Sequence, residues 1–132
     1  MLGGDNMSIW THVVGCIRLD QMGIILGGSH PLTVKSVENI LGPICTYHNW
    51  DDSTRLPCGS EGSLQYRVIK YSEPGLPWVA IPIWGDLRSY DNIDEIKNWW
   101  KDILKSFEPA FVRDACLKIE VGGRKRPVIL YR

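Results

Sequence analysis

Long apolar runs are missing from this chain of 132 residues. Nothing approaches the roughly 20 consecutive apolar residues that a membrane-spanning helix needs. The N-terminus also lacks the basic-then-apolar order of a signal peptide, so a soluble, cytoplasmic protein is expected. Net charge is missing too, because 15 Lys and Arg balance 15 Asp and Glu. A neutral molecule exerts no long-range pull on nucleic acid or on an anionic membrane, which disfavours both as partners and makes any anion binding local. The patterns that carry familiar chemistries are absent: there is no GxSxG elbow, no Walker loop and no CxxC pair. Ser60 and Ser63 have no His and Asp at recognisable positions, and Cys58 has no motif that would activate it.

The cysteines, Cys16, Cys45, Cys58 and Cys116, form no tight disulfide framework, and reduced thiols are expected. Cys16 and Cys116 fall in strands among apolar neighbours, where cysteine behaves as a small hydrophobe, and are expected in the core. Cys45, His48 and Cys58 could supply three ligands to zinc, with His30 as a conceivable fourth. Their spacing matches no standard zinc module, so neither a metal nor a cofactor is expected.

What is present is a run of alternating and helical periodicities in one domain. Residues 1–7 read as a leader or disordered segment, and residues 8–132 as the domain. Ser8 to Leu19 alternates, with Ile9, Thr11, Val13, Gly15, Ile17 and Leu19 against Trp10, His12, Val14, Cys16 and Arg18, which is the mark of a strand. Thr33 can cap a short helix whose Val34, Val37 and Leu41 share a face, flanked by Ile40 and ended by Gly42 and Pro43. About twenty residues without periodicity follow, to Gly62, and a loop that long is usually functional or mobile.

Leu64 to Tyr71 and Trp78 to Trp84 read as an antiparallel strand pair around a turn from Glu73 to Pro77. Asp91 or Asn92 then caps a second helix to about Phe107, with Ile93, Ile96, Trp100, Ile103, Leu104 and Phe107 recurring at three and four residues. Arg113 to Val121 and Pro127 to Tyr131 are strands joined at Gly122-Gly123.

The order is β-α-β-β-α-β with one extra C-terminal strand. This predicts an α+β, ferredoxin-like split βαβ sandwich: an antiparallel sheet in the order 4-1-3-2, two helices on one face, and the extra strand beside the fourth. Pro82 objects, since it falls in a central strand and cannot donate to the ladder. A bulge, or an exposed edge at that point, would resolve the conflict.

In that topology one end of the sheet gathers His12, the turn Gly59-Ser60-Glu61-Gly62-Ser63, the segment Gly85, Asp86 and Arg88, the second helix cap and the basic hairpin Arg124, Lys125 and Arg126. Glycine-rich backbone, a helix N-terminus and arginines suit a phosphate or carboxylate, so a small anionic ligand or nucleotide is the first functional expectation. The blander reading is a strand-entry loop, a hairpin turn and solvated charges.

A second expectation uses aromatic residues. The chain holds 6 Trp, and adjacent Trp99 and Trp100 point about 100° apart on a helix, so one should be partly exposed. Together with Tyr47, Trp50, Trp78, Trp84 and Tyr90 it could form a protein-binding surface. A third, a small hydrolase acting on a phosphorylated substrate, would pair Glu61 with Asp86 as acid and base. Open sheet edges leave room for a symmetric homodimer.

The wording Pro57-Cys58-Gly59-Ser60-Glu61-Gly62-Ser63-Leu64-Gln65-Tyr66, with Trp84-Gly85-Asp86-Leu87-Arg88 and the opening Ser8-Ile9-Trp10, resembles small uncharacterised phage and prophage proteins. The resemblance implies an accessory role during infection, such as blocking a host defence by binding a protein or a nucleotide signal in the host cytoplasm. It implies no activity for particular residues.

Overall fold

The computed structural model describes residues 9–20, 32–45, 56–70, 78–107, 111–123 and 126–132. The leader, His30, the loop residues Tyr47, His48, Trp50, Asp51 and Asp52, the turn from Glu73 to Pro77, and Arg124 and Lys125 lie outside the described residues.

Three long strands take their form from apolar residues at every second position, which the pleat sends to one side. β1 (Trp10–Asp20) buries Thr11, Val13, Ile17 and Leu19 and turns His12, Val14 and Arg18 outward. β4 (Trp78–Arg88) buries Val79, Ile81, Ile83 and Leu87 and turns out Trp78, Trp84 and Asp86. β5 (Val112–Val121) buries Ala115, Leu117, Ile119 and Val121 and turns out Asp114, Cys116 and Glu120.

β1 lies between the other two and is antiparallel to both. β6 (Val128–Tyr131) pairs with β5, while β2 (Gln65–Tyr66) and β3 (Ile69–Lys70) pair with β4. The sheet is therefore open and antiparallel, in the order β2-β4-β1-β5-β6 with β3 also on β4.

Two helices cover the apolar side. α1 (Val34–Leu41) begins at a reciprocal cap, in which the Ser36 N–H donates to Thr33 Oγ1 at 3.0 Å and the Thr33 N–H to Ser36 Oγ at 2.9 Å. α2 (Ile93–Ser106) is capped by Asn92, whose Oδ1 accepts from the Glu95 N–H at 3.1 Å. Val37 and Leu41 of α1, Ile96 and Ile103 of α2 and the inner sides of β1, β4 and β5 form a single core.

Both Trp99 and Trp100 are buried, at 5% and 2% exposure, so the expected exposed helix tryptophan is corrected. Two neighbours instead of one cover α2. Beyond the sheet, the segment after α1 packs on it, and Trp99 Nε1 donates to the Ile44 carbonyl at 3.3 Å. Tyr90 is buried as well and does not belong to a surface.

Pro82 shapes the edge of the sheet. β4 runs through it without a bulge and keeps its register with β1. On that strand Pro82 turns its backbone toward the neighbouring edge strand, because its carbonyl accepts from the Arg67 N–H at 3.2 Å. The reciprocal donor does not exist in a proline, so the ladder fails at this point. The single strand expected over residues 64–71 is accordingly two short ones, β2 and β3, on either side of Arg67 and Val68.

Replacing Pro82 with Val restores that donor. Hydrogen exchange at the Arg67 and Ile69 amides is expected to slow by at least ~5-fold. Global stability should move by no more than about 1 kcal/mol, because the added hydrogen bond and the freer unfolded chain oppose each other. Unchanged exchange at Arg67 would place the cause of the break in the edge strand itself.

Candidate functional site

Residues 57–64 fold back on themselves. The Leu64 N–H donates to the Pro57 carbonyl and the Gly59 N–H to the Gly62 carbonyl, both at 2.9 Å, and Cys58 bridges Ser63. The turn lies flat against the end of β4, with the Ser60 N–H donating to the Arg88 carbonyl at 2.9 Å and the Arg88 N–H to the Glu61 carbonyl at 3.0 Å. A Cβ on Gly59 would stand 2.2 Å from the Arg88 carbonyl oxygen, and one on Gly85 2.7 Å from that of Ser63. At Gly62 a Cβ would stand 2.0 Å from the Asp86 carbonyl oxygen, and its φ of 76° is itself a glycine conformation. The glycines thus serve backbone-to-backbone docking. The N–H groups of Gly59 and Ser60 already have carbonyl partners within the fold.

The side chains at this end pair with one another. Arg88 Nη1 meets Glu61 Oε1 at 2.5 Å, and His12 Nδ1 meets Asp86 Oδ1 at 2.5 Å. His12 also sits opposite Glu120 across the β1–β5 ladder, and Lys118 Nζ holds Glu120 Oε1 at 2.6 Å. That lysine, foremost, with His12 adding to it, keeps the Glu120 carboxyl below the usual range. Glu61 and Asp86 thus contact different side chains, Arg88 and His12.

Ser60 Oγ donates to the Arg88 carbonyl at 3.3 Å, and the buried Ser63 donates to the Leu64 carbonyl at 3.2 Å. The hairpin closes at the same sheet end, where the Gly122 N–H donates to the Trp10 carbonyl at 2.9 Å. Arg126 is exposed.

The start of α2 also fails to invite an anion. Asn92 caps it, and Asp94 and Glu95 occupy its first turn. Their carboxylates already complement the helix dipole. Tyr90 donates to Glu95 Oε1 at 2.6 Å, and burial, foremost, with that carboxylate keeps the phenol protonated well above its ordinary range. Among the described residues at this end, His12, Glu61, Asp86, Arg88, Glu120 and Glu95 each have a side-chain partner.

The sheet face opposite the helices is the larger feature, and reading the turns alone misses it. One row across the strands runs Trp84, Val14, Lys118, Ile129 and another Pro82, Cys16, Cys116, Tyr131. Val14 is 57% exposed, Trp84 39%, Ile129 44% and Tyr131 69%. Its signal in the sequence is the second half of the β1 alternation, where Trp10, Val14 and Cys16 share the outward side. Arg18 on this face meets Asp114 at 3.0 Å.

Cys16 and Cys116 sit opposite each other on this face, half-buried and exposed respectively, which corrects their expected place in the core. The alternation that buries Ile17 and Leu117 turns their neighbours outward. Cys45 is the buried thiol, and burial pushes it up to about 12. Among the described residues no group of three His, Cys, Asp or Glu could hold a metal ion, and no helix is long and apolar enough to cross a membrane. Comparison with protein-family models, curated proteins and solved structures finds no match to this chain.

Gly62→Ala is expected to destabilise the fold by about 2 kcal/mol or more through strain and the clash with β4, whereas Arg88→Ala, which removes an exposed pair, should cost about 1 kcal/mol or less in urea titrations. A larger effect at Arg88 than at Gly62 would reverse the assignment of which contact docks the turn. Thiol reagents at pH 8 should label Cys116 readily and leave Cys45 untouched, because a thiol at about 12 is thiolate in roughly one molecule in ten thousand. Since the folded value lies above the unfolded one, the contribution of Cys45 to stability should decline as pH rises from 9 toward 12.

Proposed function

We propose that this protein is a non-enzymatic binding module whose open sheet face docks on a protein partner. The observation that carries the reading is the contrast between the two faces: helices cover one, while the other leaves Trp78, Trp84, Val14, Ile129 and Tyr131 in solvent. Exposed aromatics bury large area at little entropic cost and are frequent anchors of protein interfaces.

Polyanions suit the face less well, because three of its cations are matched, although Arg67 opposite Pro82 is exposed and makes no ion pair among the described residues. Arg18 pairs with Asp114, Lys118 with Glu120 and Arg88 with Glu61. A nucleotide or other phosphorylated ligand at Arg88 would have to displace Glu61 first. The fold reading that accompanies this proposal is a modified ferredoxin-like split βαβ sandwich. Breaking of the second strand into β2 and β3 and addition of β6 depart from the four-stranded pattern, and the central antiparallel run of β4, β1 and β5 supports the kinship. The resemblance to phage and prophage proteins supports seeking the partner among host defence proteins.

A photo-crosslinking amino acid at Val14, installed in cells that express the protein, is expected to give one discrete adduct, and the same group at Glu38 on the outer side of α1 none. Trp84→Ala should weaken the captured complex by at least ~10-fold. Absence of any adduct at Val14, together with thermal stabilisation by a nucleotide that Arg88→Ala abolishes, would replace this reading with the small-ligand one.

A further inference from the structure

The two edges of the sheet are built differently. Across the β2/β3 edge the ladder is interrupted opposite Pro82, and Arg67 and Lys70 are exposed there. Breaks and charges of this kind are how proteins keep strand edges from pairing with other chains. β6 has neither. Its four residues are Val128, Ile129, Leu130 and Tyr131, all apolar or aromatic and regular in pairing.

The Arg132 N–H donates to the Ala115 carbonyl at 3.2 Å, which makes that a hydrogen-bonded pair. In an antiparallel ladder such pairs alternate, so Leu130 turns its backbone to β5 while Ile129 and Tyr131 turn theirs outward. Among the described residues nothing pairs with those outward groups.

Beside this edge runs a groove of about 470 Å³ between α2 and β6, lined by Trp100, Leu104, Ile129 and Tyr131 among others. Lys97, Lys101 and Lys105 also line it. They recur every fourth residue and so form a stripe with a repeat of about 6 Å along the helix. None of the three makes an ion pair among the described residues. Trp100 carries the one buried side-chain donor among the described residues that lacks an acceptor, its Nε1.

We propose that the β6 edge receives an extended acidic segment of a partner protein as an added strand, with alternate carboxylates of that segment lying along the Lys97, Lys101 and Lys105 stripe. Same-side residues of a strand recur about every 6.8 Å, close to the repeat of the lysines. The edge supplies main-chain hydrogen bonds, the groove takes the aliphatic stems of the acidic side chains, and the stripe supplies selection by charge. A second copy of this chain fits worse, because two-fold pairing of β6 with β6 would bring two lysine stripes together without counter-charge. The proposal does not depend on the open-face reading, and the two surfaces meet only at Ile129 and Tyr131.

The probe is a short fluorescein-labelled peptide in which glutamate alternates with valine or threonine, compared at low salt with the same peptide carrying lysine for glutamate. The full chain is expected to bind the acidic peptide saturably, to prefer it by at least ~10-fold, and to lose affinity as salt rises. Lys101→Glu combined with Lys105→Glu should weaken binding at least ~10-fold. Ile129→Pro removes an outward N–H and leaves the β5 ladder intact, so it should abolish binding while the amide spectrum shows a folded protein.

Equal affinity for both peptides, or no saturation up to about 1 mM, would overturn the proposal. So would binding indifferent to Ile129→Pro in a folded protein, since charge alone would then explain it. A dimer in sedimentation that Ile129→Pro dissolves would assign the edge to a second copy. The Val14 crosslink, unaffected by the lysine substitutions, tells failure here from failure of the open-face reading.

Discussion

Period-two alternation in β1, β4 and β5 is the constraint from which the other features follow. Each strand sends its apolar side chains to the helices, and burying each of the large ones is worth about 2 kcal/mol. A slip of one residue would exchange Val13 and Ile17 for His12 and Arg18 in the core, so the register has no close competitor. The charged pairs depend on that register. His12 lies between Asp86 and Glu120 because its own pairing with β4 and β5 is set by residues on the opposite side of the same strand. The pairs are exposed and contribute little to stability, so they follow from the packing and do not direct it.

The same one-sidedness explains why the glycine turn is tied to the fold. β4 continues past its last large core side chain, Leu87, to Arg88, and the turn of residues 57–64 docks on that extension through main-chain hydrogen bonds. Contact this close is available only where no Cβ intervenes, at Gly59, Gly62 and Gly85. Ser89 then takes a positive φ of 54° and its N–H donates to the Ile9 carbonyl, turning the chain from β4 toward α2. Turn, strand end and helix start are held together by backbone, and the side chains are left to pair on the surface.

Much of the fold was legible because its periods are strong. The alternation of β1 and the recurrence of Ile93, Ile96, Trp100 and Ile103 identify elements that the structure contains within a residue or two at most ends. The position of the turn beside Gly85, Asp86 and Arg88 followed from tracing strand directions. Its chemistry did not follow, because whether an amide is free depends on what docks on it, and the carbonyl of Arg88 is 28 residues from Ser60. The burial of Trp99 is illegible for a similar reason: contact with a second neighbour, the segment holding Ile44, leaves no mark in helical spacing. Cys16 and Cys116 were misread despite a visible signal, since their parity with His12 and Glu120 already placed them outside. Pro82 was recognised as a conflict, and its resolution, a broken neighbour instead of a bulged strand, depends on which way its carbonyl faces.

Charge balance on the open face bears on what that face can meet. A surface that bound a polyanion would gain from unmatched cations, whose contacts with phosphate release counterions. Here Arg18, Lys118 and Arg88 each lie against a carboxylate, so approach of a phosphate chain would bring repulsion from Asp114, Glu120 and Glu61 along with attraction. A protein surface meets less of that penalty over Trp84, Val14, Ile129 and Tyr131, with the Lys118–Glu120 pair inside the row and the Arg18 and Arg88 pairs nearer its ends, where they can remain hydrated at a rim. The apolar rows and the paired charges beside them are what the proposal of a protein partner rests on.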